Sequence, residues 1–312
     1  MDMSQEQYRG CVAAVGGFDG VHGGHRYLIG TVASIARQRG LDAVAVTFAQ
    51  HPLKVVGNGF CPALLTTASE KERLLRQCGI DRVVMLDFTR EMSLMSAREF
   101  MERALRDELG VEVLVMGYDH RFGHDRDAKF DDYVGWGEEL GIEVVRGDEW
   151  RGDGETCRFS SSEARRLLLD GDVEGASRIL GYEYGVDGVV VGGFRVGRTL
   201  GFPTANIEVD SEDKLIPHSG VYAVRLTVLD GEDGGAKYDG MLNIGTRPTL
   251  NNGSARSIEV HALDFSGDIY SARVRVEFLK RLRDERRFES VDELRRQLEM
   301  DKVEVRRFFA EK

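Results

Sequence analysis

Five short apolar runs set the strongest limit on the fold. They are CVAAVG, DAVAVTF, RVVMLDF, EVLVMG and GIEVV, all within the first 182 residues, with helical patterns between them. Each run is apolar on consecutive positions, as strands buried on both faces of a parallel sheet must be. The intervening segments carry helix start signals. Ser69-x-x-Glu72, Ser96-x-x-Glu99 and Ser160-x-x-Glu163 have capping-box spacing. Gly40, Gly110 and Gly181 follow helical runs and suit the left-handed position just past a helix end. This rhythm predicts a doubly wound α/β domain.

From about Gly185 the rhythm changes. GVDGVVVGGFRVG, GVYAVRLTVLD, AKYDGMLNIG, ARSIEVHALDF and DIYSARVRVEFLKRL are β-rich and separated by glycine-rich breaks. In the last of them Val274, Val276 and Phe278 alternate with Arg273, Arg275 and Glu277. Consecutive strands without helices predict an antiparallel barrel. A segment from Ser290 to Phe309 opens with Ser290-x-x-Glu293 and reads as a closing helix. The boundary falls within residues 182–187, giving domains 1–184 and 185–312.

A chain of 312 residues is long enough for two cores. The net charge of -11 argues against nucleic-acid binding, which needs a basic face. It leaves small anionic ligands open, because helix ends and glycine turns create local positive potential. Cys11, Cys61, Cys78 and Cys157 are scattered with no CxxC pair, which fits a reducing cytoplasm. The polar start MDMSQEQYRG is no signal peptide, and no apolar run is long enough to span a bilayer. The basic cluster LKRLRDERRF has acidic neighbours and reads as a solvated face.

In an open parallel sheet, ligands bind beyond the carboxyl ends of the strands. GGFDGVHGGH, AQHPLK and GYDHRFGHDR follow the first, second and fourth apolar runs, and FSSSEARR follows the region after the fifth. In the first of these, Gly23 and Gly24 would let the backbone approach a ligand. His25 would lie at a helix start, where free N–H groups favour anions. Two imidazoles there can donate to phosphate oxygens and stabilise charge as pyrophosphate leaves. No Walker A pattern and no GxGxxG occurs. A pair of idle surface histidines, or a zinc pair that recruits Asp19, His120 or His124, are the competing readings. His51, His120 and His124 are equally readable as surface or supporting residues.

GRTLGFPTANI, residues 197–207, is a loop with Gly197 and Gly201 for backbone freedom and Pro203 to fix φ. Thr204 and Asn206 supply neutral oxygens that, with ATP phosphates and water, can complete a Mg²⁺ shell. Phosphoryl transfer to an alcohol also needs a positioned base. Glu259 lies on a predicted strand whose neighbours Ile258 and Val260 should face the opposite side. Taken alone, a strand glutamate is usually solvated.

The longer GGFDGVHGGH, with VTFAQHPL, LLTTASEKERLL, GYDHRFG and FSSSEARRLL, resembles the bacterial bifunctional riboflavin kinase/FMN adenylyltransferases. GRTLGFPTAN, EVHALDF, IGTRPT and GVYAV extend the likeness through the second half. The resemblance implies a nucleotidylyltransferase-like α/β domain, then a flavokinase barrel with a C-terminal helix. It implies that His22 and His25 contact ATP phosphates, with Gly16, Phe18 and Asp19 shaping the floor. Ser161, Ser162 and Arg165 match the segment closing over the triphosphate, and Asp119, Arg121 and Phe122 match a loop at the nucleotide and flavin end. In the barrel, the likeness puts Gly197, Arg198, Gly201, Pro203 and Thr204 at the nucleotide, Thr204 and Asn206 at Mg²⁺, and Glu259 as the base activating the ribityl hydroxyl. Ala49, Gln50, His120 and Glu163 depart from the residues usual in the family. The implied chemistry is riboflavin plus ATP to FMN, then FMN plus ATP to FAD, in the cytoplasm and without nucleic-acid or membrane partners. A kinase fused to a different or inactive nucleotidylyltransferase, and a flavin-binding regulator, are the alternatives.

Overall fold

The computed structural model describes residues 10–57, 61–118, 120–124, 127–148, 150, 159–192, 201–231, 234–248 and 254–312. The chain divides into two compact units between Phe159 and Ser160.

The first unit is built on a parallel sheet in the order β3-β2-β1-β4-β5. Its strands are β1 (Cys11–Val15), β2 (Asp42–Phe48), β3 (Arg82–Leu86), β4 (Val111–Met116) and β5 (Glu143–Arg146), the five apolar runs of the sequence. β1 is buried along its whole length and central, flanked by β2 and β4. Around the sheet run α1 (Gly23–Arg39), the short α2 (Leu53–Val56), α3 (Ala68–Gln77), α4 (Ala97–Phe100) and α5 (Phe130–Leu140). α4 continues into a π-helical stretch, Met101–Glu108. One core packs Cys11, Ala13 and Val15 of β1 against Phe100, Met101, Leu105 and Tyr133. Reversal of strand order beside β1 puts the β1–α1 turn at the topological switch point, where ligands bind in such sheets.

Ser96 and Glu99 form the capping box the spacing predicts, and Gly40, Gly110 and Gly181 take positive φ. One expectation is corrected. α3 is capped by Thr67 with Glu70, two residues before the predicted Ser69–Glu72 pair. Thr67 accepts from Glu70 N and Glu70 accepts from Thr67 N, so both termini of the box are satisfied within the buried turn. Glu72 instead pairs with Arg76 on the exposed side. At Ser160 half of the predicted box forms: Ser160 accepts from Glu163 N, while the Glu163 carboxylate pairs with Arg166.

The second unit opens with α6 (Ser161–Asp170) and α7 (Val173–Leu180). A closed barrel follows, in the order β10-β7-β6-β11-β8-β9. Its strands are β6 (Gly185–Val191), β7 (Ala205–Val209), β8 (Gly220–Val228), β9 (Lys237–Pro248), β10 (Ser254–Ala262) and β11 (Arg273–Arg283). The pairings among them are antiparallel. The predicted alternation on β11 holds, with Val274, Val276 and Phe278 fully buried. The closing helix α8 (Val291–Glu311) is capped by Ser290. Buried Asp301 anchors it by accepting from Arg283 Nε and Nη2 on β11. Part of the basic cluster is therefore structural rather than merely solvated.

Candidate active sites

The turn from β1 to α1 is strained and firmly held. Phe18 has φ +45° and Val21 has φ +37°. For residues with side chains, and for β-branched Val21 especially, such conformations cost on the order of 1–3 kcal/mol each. Several contacts offset that cost. Val21 N donates to Phe18 O, and Gly20 N donates to Thr66 Oγ1. The buried Asp19 carboxylate accepts from Leu65 N, Thr66 N and Thr66 Oγ1, each at 3.0 Å. Thr47 Oγ1 donates to Gly17 O at 3.1 Å. Gly16 packs tightly under the Phe18 ring, which lies 3.0 Å from where a Cβ at this position would sit.

This scaffold presents the two histidines. His22 is the N-cap of α1, its Nδ1 accepting from His25 N at 3.4 Å. The rings stack with centroids 3.7 Å apart, and Phe18 packs edge-on to His25 at 5.3 Å. Burial pushes His22 down to about 4, against the opposing pull of the Asp19 carboxylate. Burial also holds His25 well below its ordinary value, helped by His22, His120 and Lys71. Both rings are therefore neutral at pH 7, each with one donor and one acceptor nitrogen. An accepting Nδ1 leaves the His22 proton on Nε2. His25 Nδ1 is buried with no hydrogen-bond partner among the described residues. Neutral N–H donors beside a helix N-terminus suit phosphate oxygens.

The room expected beside Gly23 is already filled. A Cβ there would come within 2.2 and 2.4 Å of Trp150 ring carbons. The indole packs in turn on Phe159, with centroids 4.2 Å apart. Sequence reasoning missed Trp150, whose only signal was an aromatic in a polar loop. It also missed Lys71 and Thr47, buried polar residues of the same turn scaffold.

Arg121 is exposed, while Phe122 packs against Phe100 and Tyr133. His120 is within electrostatic range of His25. His51 accepts from Leu53 N, and His124 is exposed. Asp119 lies outside the described residues. Ser161 and Ser162 occupy the first turn of α6, with Arg165 half-buried one turn later. All three belong to the second unit.

In the barrel, Glu259 of β10 faces Asn206 of β7 on one side and Asn243 of β9 on the other. Paired residues of neighbouring strands project to the same face, so the three form a polar row. Ile258 and Val260 point the other way and are buried, as the alternation predicts. Thr204 Oγ1 lies 3.5 Å from Glu259 Oε2. The loop carrying Thr204 is fixed at two points. Pro203 O meets His261 Nδ1 at 2.8 Å, and buried Phe202 packs edge-on to the His261 ring. Phe202 also joins a cluster with Met241, Leu263 and Val305 of α8. His261 was also missed from sequence, although EVHALDF contains it. Gly201 takes φ +85°, which its lack of a side chain permits. Gly197 and Arg198 lie outside the described residues.

A family model described as FAD synthetase matches residues 4–163, and one described as riboflavin kinase matches residues 180–309. The "Bifunctional riboflavin kinase/FMN adenylyltransferase" of Escherichia coli K12 is 37% identical over 308 residues, covering 99% of this chain and 96% of its own. Its counterpart of the same description in Bacillus subtilis is 34% identical over 313 residues, covering 98% and 95%. Among solved structures, one described as a macrolide-efflux protein from Streptococcus pneumoniae superposes with a TM-score of 0.84 at 31% identity, covering 95% of this chain and 94% of that one. No helix among the described residues is long and apolar enough to cross a membrane.

Proposed function

The chain belongs to the bifunctional riboflavin kinase/FMN adenylyltransferases, and on that premise we propose which of its residues carry the two reactions. It is a flavin-cofactor enzyme that phosphorylates riboflavin with ATP to give FMN and ADP. It then joins FMN to AMP from a second ATP, giving FAD and pyrophosphate.

For adenylyl transfer, a phosphate oxygen of FMN attacks the α-phosphorus of ATP and the bond to pyrophosphate breaks. His22 and His25 donate N–H bonds to the phosphate oxygens that gain charge, and the free backbone N–H groups of α1 add to them. What supports this is the neutrality of both rings and their place at the helix end. Gly16, Phe18 and Asp19 shape the floor of the nucleotide site and hold the turn above it. Ser161, Ser162, Arg165, Asp119 and Arg121 are assigned to the nucleotide by family likeness.

For phosphoryl transfer, Glu259 accepts the proton of the ribityl hydroxyl as its oxygen attacks the γ-phosphorus of ATP. Gly197, Arg198, Gly201 and Pro203 form the nucleotide loop of this reading. Thr204 Oγ1 and the Asn206 amide oxygen would hold Mg²⁺. Two neutral oxygens beside one carboxylate suit a cation that keeps most of its shell from phosphates and water. When bound, Mg²⁺ neutralises charge on the ATP phosphates. The assignment includes a cytoplasmic setting, supported by the free thiols of Cys11, Cys61 and Cys78.

The observation that carries the reading is that each matched region holds its own set of converging reactive groups. Riboflavin supplied with ATP and Mg²⁺, followed by chromatography, tests it: the wild-type chain yields FAD, and His25→Ala stops at FMN. FMN alone from the wild type would leave only the kinase, and unchanged riboflavin would leave a binding protein.

A further inference from the structure

Lys71 sits on α3 with only 6% of its surface exposed. Lysine is almost never that buried without an ion-pair partner. Its Nζ donates to Phe48 O at 3.0 Å and, more loosely, to Thr47 Oγ1 at 3.5 Å. It makes no ion pair among the described residues; burial pushes its ammonium down, and the Asp19 carboxylate pulls it part of the way back. The lone proton of Thr47 goes to Gly17 O. The chain of donors therefore runs from the Lys71 ammonium through the Thr47 hydroxyl to the carbonyl of the strained turn. The start of α3 grips the same turn from the other side, through Thr66 and Asp19.

We propose that Lys71 is a positioning residue for adenylyl transfer, supplying a buried positive charge near His25 and anchoring, through Thr47, the turn that carries both histidines. The proposal rests on the assignment of those histidines to the phosphates. A purely structural residue at this position would be apolar, because an unpaired ammonium is costly to bury. An anionic substrate at the histidines offsets that cost. The groups facing His25 are His22, His120 and Lys71, and Asp19 faces His22. Among them Lys71 is the one whose charge does not depend on an imidazole. Its presence disfavours a second positive charge on His25.

Lys71→Met tests this in the full chain. FAD formation from FMN is expected to fall on the order of 10²-fold, as for removal of one oriented stabilising group, with riboflavin phosphorylation unchanged. The acid limb of the pH profile for FAD formation is expected to move to higher pH, because removing a neighbouring cation lets His25 protonate more readily. An NMR titration of the His25 ring in the substrate-free protein should move the same way. Thr47→Val keeps the charge and cuts the link, so it lowers the rate without moving the limb. A Lys71→Met rate within a few-fold of wild type, or a lowered rate with an unmoved limb and unmoved ring titration, overturns the proposal. If Lys71→Met does not fold, Lys71→Gln gives the same readouts. Loss of fold in both assigns Lys71 to the core and also overturns it. Failure of the wild type to make FAD is a separate outcome, since it removes the adenylyl-transfer reading itself.

Discussion

The ring of His22 stacks on that of His25 at 3.7 Å, with 21° between their planes, while its Nδ1 caps the helix whose first turn holds His25. Both roles require a neutral His22. An imidazolium could not accept at Nδ1, and stacked imidazoliums would repel. Burial therefore links these rings to stability. His22 titrates near 4 in the fold against 6.5 ordinarily, so between those pH values the unfolded chain binds more protons. The stability contribution of the neutral ring is complete above about pH 6.5 and is lost as pH falls through 4, on the order of 3 kcal/mol in all. Urea midpoints of the first unit at pH 7 and pH 4.5 read this out. His22→Asn keeps a capping oxygen and does not titrate, so its midpoint should fall less over that interval. Equal falls in the two proteins would mean that His22 is already charged in the fold.

Gly23 gives a sharper steric test. A methyl group there meets Trp150 ring carbons at 2.2 and 2.4 Å, far inside contact distance. Gly23→Ala should therefore displace the indole, changing Trp150 emission in a Trp136→Phe background and destabilising the unit by about 1–3 kcal/mol. Adding Trp150→Ala should remove most of the steric penalty of Gly23→Ala. A Gly23→Ala protein with unaltered emission and melting would show that the indole does not rest on α1.

What sequence revealed and what it hid divide along physical lines. The five strands were legible because burial on both faces leaves unbroken apolar runs, as in Cys11–Val15. The barrel was legible through alternation, as around Ile258, Glu259 and Val260. His22, His25 and Glu259 stood out because reactive residue types sat at special places in those patterns. Trp150, Lys71 and His261 did not. Each matters through a partner distant in sequence: Trp150 by filling space beside Gly23, Lys71 through Thr47, and His261 by holding Pro203 O. The α3 cap was displaced by two residues because Thr67 and Ser69 both satisfy the local spacing pattern, and burial of the Thr67–Glu70 pair decides between them.

The kinase unit should be separable, and its start is specific. The strand pattern begins at Gly185, yet the compact unit begins at Ser160. α6 and α7 are tied to the barrel: Leu168 O accepts from His218 N, and the Arg281 side chain lies 2.8 Å from where a Cβ on Gly171 would sit. A fragment 160–312 should melt cooperatively and phosphorylate riboflavin. A fragment 184–312 should melt at lower temperature, because it exposes barrel surface that those helices cover. Equal melting temperatures would make α6 and α7 an independent appendage and support a boundary near residue 184.

Glu259→Gln tests the barrel chemistry most directly. The substitution keeps size and hydrogen bonding, so the row with Asn206 and Asn243 and the contact to Thr204 can persist. It removes the one carboxylate of that row able to take a proton. General-base catalysis is worth roughly 10²- to 10⁴-fold, and FMN production should fall by that factor. ATP and riboflavin binding should change far less, because the base acts as the hydroxyl proton leaves. Supplied with FMN, the same protein should make FAD at close to the normal rate, which separates lost chemistry from lost folding of the whole chain. Phe202 and His261 give an internal comparison. His261→Ala leaves Glu259 in place but frees the loop at Pro203, so it should weaken ATP use more than it slows turnover at saturation. If Glu259→Gln retained kinase turnover within a few-fold of wild type, the proton would have to go to the phosphate itself or to another group, and the row would be an ordinary polar face of the barrel.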